Sequence, residues 1–140
     1  MFTMKSEYAL RIALVLAKNC DRYLSMSEIL EGVKGSVPRE FAEKILNILK
    51  RAGIVKTQRG RQGGYALSKP PGEIRVSEIV FLLDRKSRVF YEFPDCPEEL
   101  DCVIRSLWKR VEESIEKTLD STTLADMLRE QEKRMRRKCV

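Results

Sequence analysis

A chain of 140 residues suits one compact domain with an accessory element and has no room for two full cores. With 43% hydrophobic and 34% charged residues, no apolar run near the ~18 residues that cross a bilayer, and Met1 leading into Lys5, Glu7 and Arg11, a soluble cytoplasmic protein with no membrane partner is expected. Histidine is absent, which excludes Ser-His and Cys-His catalysis and imidazole-ligated zinc and removes much of enzymology.

The four cysteines, at 20, 96, 102 and 139, are too few and scattered for a disulfide framework and read as free thiols or metal ligands. The net charge of +6 is unevenly distributed. Residues 34–69 carry nine basic residues against Glu40 and Glu43, and residues 129–138 carry six against Glu130 and Glu132, so the rest of the chain is net acidic. A basic surface on an otherwise acidic protein fits a polyanion ligand, with a merely solvated face as the alternative.

In chain order, Tyr8, Ile12, Val15 and Leu16 share one stripe of a helix over about 5–18. Ser25 and Glu28 have capping-box spacing ahead of Ile29, Leu30 and Val33, which predicts a short second helix ending near Gly32 to Gly35. Pro38 suits the first turn of a third helix, with Phe41, Ile45, Ile48, Leu49 and Ala52 inward, Gly53 as its stop, and Arg39, Glu43, Asn47 and Lys50 on the opposite face. Ile54–Arg59 and Tyr65–Ser68 read as strands of a hairpin whose tip, Gly60-Arg61-Gln62-Gly63-Gly64, is basic and glycine-rich. Pro70-Pro71-Gly72 breaks the chain before a short helix with Val76, Ile79, Val80 and Leu83 inward. A stretch without clean periodicity follows to about Asp101, containing Cys96 and Cys102. Leu100, Ile104, Leu107, Trp108, Val111, Ile115 and Leu119 then form one stripe of a long amphipathic helix, and a last helix runs from Leu124 to about Arg136 with a basic end. The stripe needs a cover, and a second copy of the chain is the simplest supplier.

Three helices followed by a hairpin is the order of a winged helix-turn-helix, mainly α with a small β-hairpin, here extended by a long C-terminal dimerisation helix. The domain division expected is 1–84 for the DNA-binding unit, 85–102 for a cysteine-bearing sensor segment, and 103–140 for the dimerisation helix and basic tail. Arg39, Glu43, Lys44 and Asn47 lie on the helix that would enter the major groove, where a carboxylate can accept from a cytosine amino group. Arg59 and Arg61 flank the hairpin turn, where guanidinium groups fit a narrow minor groove, and Lys56 and Gly63 complete the expected DNA-contacting set. For Glu43 the alternative is a solvated residue pairing with Asn47.

Tyr8-Ala9-Leu10-Arg11, Glu43 through Leu49, Lys50 through Val55, and above all Arg59-Gly60-Arg61-Gln62-Gly63-Gly64-Tyr65-Ala66-Leu67 resemble the IscR, NsrR and CymR family of bacterial winged-helix regulators, the Rrf2 superfamily. The likeness continues through 74–84, Cys102 to Trp108 and Thr122 to Asp126, and covers about residues 1–128. The resemblance implies a homodimeric transcription regulator that binds a pseudo-palindromic operator, with Glu43 and Arg59 at DNA-reading positions. In cluster-carrying members three evenly spaced cysteines precede the long helix; here Cys96 and Cys102 keep two of them and Phe90 stands at the third. Arg105 stands where some members carry a histidine, and Glu7 matches a first-helix position that supplies a carboxylate in some of them. A 2Fe-2S cluster on Cys96, Cys102 and Glu7, completed by Glu92 or Asp101, is the ligand set implied. The alternatives are a cluster-free regulator answering to thiol oxidation or a small effector, and, from another class, a sequence-nonspecific nucleic-acid-binding module. Cys20 and Cys139 match no family ligand, and Cys20 is expected to be buried at a helix end.

Overall fold

The computed structural model describes residues 3–84 and 101–138, with the side chains of Asp101 and Cys102 outside the description. Its helices are α1 (Met4–Lys18), α2 (Met26–Gly32), α3 (Arg39–Arg51), α4 (Val76–Leu83), α5 (Asp101–Asp120) and α6 (Leu124–Lys138), and its strands are β1 (Val55–Gln58) and β2 (Gly64–Leu67).

Local chemistry accounts for most boundaries. Ser25 Oγ accepts the Glu28 N–H at 3.2 Å and the Glu28 carboxylate accepts the Ser25 N–H at 3.2 Å, a closed capping box that starts α2. Lys34 and Gly35, both at positive φ, make the turn to α3, and Pro38 sits at its N-cap, one position ahead of the first helical turn expected for it. Gly53, at φ 77°, ends α3 in a Schellman arrangement: its N–H donates to Lys50 C=O and the Ile54 N–H to Leu49 C=O, both at 3.0 Å.

The core lies where α1, α2 and α3 meet the base of the hairpin. Ala9, Ile12, Ala13 and Leu16 of α1 pack with Ile29, with Ala42, Ile45, Leu46 and Leu49 of α3, and with Ile54, Val55 and Leu67. The stripe on α3 therefore runs through Ala42 and Leu46, with Phe41 at the surface (41% exposed) against the Tyr8 ring, 5.7 Å between centroids. Ala52 is exposed at the C-cap instead of inward. Cys20 is exposed, contrary to the expected burial, because α1 ends at Lys18 and residues 19–21 turn outward.

β1 and β2 pair antiparallel, Val55 opposite Leu67 and Gln58 opposite Gly64. A third segment joins them: Leu24 forms a bridge with Tyr65, the Leu24 N–H donating to Tyr65 C=O at 2.8 Å and the Tyr65 N–H to Leu24 C=O at 2.7 Å. The close approach depends on Gly64, where an added Cβ would stand 2.1 Å from the Leu24 carbonyl oxygen and φ is 143°.

α6 is more than a tail. Leu124 is fully buried in the same core, its N–H donates to Ile74 C=O at 3.0 Å, and the Val76 N–H donates to Thr122 C=O at 2.8 Å. Thr123 Oγ1 accepts the Asp126 N–H at 3.1 Å and Asp126 accepts the Thr123 N–H at 3.0 Å, so a second reciprocal cap starts α6. Beyond Leu128 every described residue of α6 is exposed. α5 contacts the remaining described chain chiefly through α4, leaving Val103 (72%), Ile104 (48%) and Leu107 (44%) exposed and Val111, Ile115 and Leu119 half-covered.

Candidate nucleic-acid interface

The outer face of α3 presents Arg39, Glu43, Lys44 and Asn47, all exposed, because the inward positions of the same helix are taken by Ala42, Ile45, Leu46 and Leu49. Arg39 Nε lies 3.4 Å from the Glu43 carboxylate, an exposed i, i+4 pair. Glu43 is thus held by the residue one turn before it, not by Asn47. Exposed pairs of this kind contribute little to stability, so their donors and acceptors are inexpensive to redirect to a ligand.

The hairpin is the second part. Its tip is a turn closed by the Gly63 N–H donating to Gly60 C=O at 3.0 Å, with Arg61 and Gln62 at the two central positions. Arg59 and Arg61 are exposed on either side of Gly60, and Gly63 is half-buried beneath them. Lys56, on β1, is exposed, with its ammonium 5.7 Å from the Tyr23 ring centroid. The Leu24–Tyr65 bridge ties this hairpin to the segment just ahead of α2.

A polar groove opens between them. Arg22, Ser25 and Glu28 line one side, and Gln58, Arg61 and Gln62 the other. Arg22 Nη1 donates to Glu28 Oε2 at 2.5 Å. That hydrogen bond, followed by the one from the Ser25 N–H, holds the Glu28 carboxyl below its ordinary range. Sequence reasoning missed Arg22, Gln58 and Gln62; the signal was the Leu24–Tyr65 bridge, a pairing across forty-one residues that no local pattern announces.

The expected metal ligands are placed elsewhere. Glu7 is exposed on α1 and accepts from Arg11 Nη2 at 3.0 Å and Nε at 3.2 Å. Cys102 is the second residue of α5, its side chain outside the description, while Cys96, Phe90 and Glu92 lie outside the described residues altogether. Among the described residues no three of His, Cys, Asp or Glu come together as a metal site, and no helix is long and apolar enough to cross a membrane.

Three helices, a wing pinned to the second of them, and a third helix with an exposed polar face define a winged helix-turn-helix DNA-binding protein. Comparison with known proteins agrees. The sequence matches the Rrf2 family, described as iron-dependent transcriptional regulator, over residues 2–130, and the chain belongs to that family. It is 37% identical over 138 residues to a Rhodobacter capsulatus protein named as an rrf2-like HTH-type transcriptional regulator, covering 91% of this chain and 92% of that one. Among solved structures, IscR of T. potens is 32% identical with a TM-score of 0.75, covering 94% of this chain and 88% of that one. CymR, the global cysteine regulator of B. subtilis, is 29% identical with a TM-score of 0.75, covering 91% and 95%. The chain is a transcriptional regulator and not an enzyme.

Proposed function

We propose that the chain works as a homodimer that reads a pseudo-palindromic DNA operator, α3 entering the major groove and the wing lying on the adjacent minor groove. The observation that carries this reading is the pairing of the exposed Arg39, Glu43, Lys44 and Asn47 face with a two-arginine glycine turn that is bridged to the segment ahead of α2. Arg59 serves the minor groove, Lys56 and Arg61 the backbone, and the open backbone at Gly63 allows close approach to a phosphate. The dimer forms through α5, the helix expected over about 100–119, whose Val103, Ile104 and Leu107 are exposed and whose Leu107, Val111, Ile115 and Leu119 line a groove. The working division is 1–84 for DNA, 85–102 for sensing and 103–140 for dimerisation, with the start of α6 packed back on the DNA-binding core.

Sensing is assigned to the 85–102 segment with its Cys96 and Cys102. A 2Fe-2S cluster would need Glu7 to exchange Arg11 for iron, a hard ligand for a thiolate-preferring centre. Of the implied ligands only the side chain of Glu7 is among the described residues, and it is engaged by Arg11. Thiol chemistry at the two cysteines remains the simpler signal input.

Selection of bound sequences from a random duplex library tests the reading. Enrichment of a two-fold related pair of half-sites about 10–10.5 bp apart, or a multiple of that, supports it. A bound pool without sequence preference replaces it with a nonspecific nucleic-acid-binding module.

A further inference from the structure

The groove between the wing and the segment ahead of α2 is closed at one point by backbone pairing and has a polar set of walls. Its two sides cannot drift apart, because the Leu24–Tyr65 pair of hydrogen bonds, 2.8 and 2.7 Å, joins them and Gly64 leaves no space between the backbones. One wall offers the Arg22 guanidinium and the Ser25 hydroxyl, the other the Arg61 guanidinium and the carboxamides of Gln58 and Gln62. Two cations, with the neutral hydrogen-bonding side chains of Tyr23, Ser25, Gln58 and Gln62 on the same lining, suit an anion with several acceptor oxygens. The lone carboxylate on the lining is Glu28, already engaged by Arg22 at 2.5 Å and by the Ser25 N–H. It both orients Arg22 and opposes any anion that enters.

We propose that this groove seats one phosphate of the DNA backbone, with Arg22 and Arg61 as its cationic walls and the Arg22–Glu28 pair as the element that limits its strength. The seat rests on the reading that the chain binds duplex DNA, and it adds residues outside α3 and outside the arginine that enters the minor groove. A phosphate contact carries no sequence information. Its role is to hold the wing in register with the duplex while α3 reads bases. On binding, Arg22 turns part of its fork from Glu28 to the phosphate; because the Arg22–Glu28 pair is exposed, little is lost in the exchange.

The test uses two unrelated mixed-sequence duplexes of about 30 bp, titrated over a salt series with the full chain and its Arg22→Ala, Arg61→Ala and Glu28→Gln variants, each with a thermal melt. Arg22→Ala and Arg61→Ala are expected to weaken both duplexes by the same factor, roughly three- to tenfold, and to lower the salt slope by about one unit for each seat emptied. Glu28→Gln keeps a carbonyl oxygen to cap the Ser25 N–H and removes the opposing charge, so it is expected to tighten both duplexes about threefold and to melt near the parent. If Arg22 merely supported the α2 cap, Glu28→Gln would leave binding unchanged or weaken it, and that result overturns the seat. Parent binding with unaltered affinity and slope in both arginine variants overturns the seat alone, whereas failure of the parent to bind either duplex overturns the DNA-binding reading together with it.

Discussion

Replacing Gly64 by alanine tests whether the wing and the helix-turn-helix unit are one body. The new Cβ would lie 2.1 Å from the Leu24 carbonyl oxygen, 2.5 Å from its carbon and 2.9 Å from the Ser25 nitrogen, so backbone must move by about 1 Å to reach ordinary contact. Such a shift strains the two hydrogen bonds of the Leu24–Tyr65 bridge, each worth about 0.5–1.5 kcal/mol, and the φ of 143° adds about 1–3 kcal/mol of backbone strain for a residue with a side chain. A loss of roughly 2–5 kcal/mol is expected by urea unfolding, together with weaker duplex binding because the wing no longer keeps its register. Gly60→Ala is the control. Gly60 also has positive φ, 111°, but a Cβ there meets nothing within 4 Å, so strain alone applies. If Gly64→Ala destabilises no more than Gly60→Ala and binds duplex DNA as the parent does, the wing is not held through Leu24.

Arg59→Ala should lower operator affinity by about 1–3 kcal/mol with an unchanged melting temperature, since the side chain is exposed; anisotropy titration at matched salt measures it. Leu124→Ala should cost about 2–5 kcal/mol in urea unfolding, against less than about 1 kcal/mol for the exposed Leu107 in the dissociated chain, because only Leu124 is fully buried. Partial burial pushes the Asp84 carboxyl up, but hydrogen bonds from Ser6 and from the hydroxyl and N–H of Thr3 outweigh it and leave it below its ordinary value. A depressed folded value means stability that is present above the unfolded value and lost as pH falls through the folded one. Asp84→Asn should therefore be less stable than the parent near neutral pH, and the two should converge in the acid range below the ordinary aspartate value, read from urea midpoints across pH.

Much of this architecture is written in local pattern. The Ser25–Glu28 box, the Gly53 stop and the Arg59–Gly64 turn are chemical statements about neighbouring residues, so they are legible without a fold. The outward face of α3 follows from periodicity, although its inward stripe runs through Ala42 and Leu46 with Phe41 displaced onto Tyr8. What was not legible is non-local. The bridge from Leu24 to Tyr65, the groove it creates around Arg22, and the return of α6 to the core through Leu124 and Ile74 all depend on pairings between distant segments. The exposure of Cys20 belongs with these, since it follows from how residues 19–21 leave α1 toward that bridge.

The central claim, that two copies joined through α5 read one operator, is tested most directly by sedimentation of the chain with its selected duplex, beside a scrambled duplex and the Trp108→Asp variant. Trp108 is 36% exposed on α5, and a carboxylate there would face the partner helix. Two chains per selected duplex, a preference over the scrambled one of about 10³ or more, and loss of both in Trp108→Asp are the expected results. One chain per duplex, or equal affinity for the two sequences, would contradict the account.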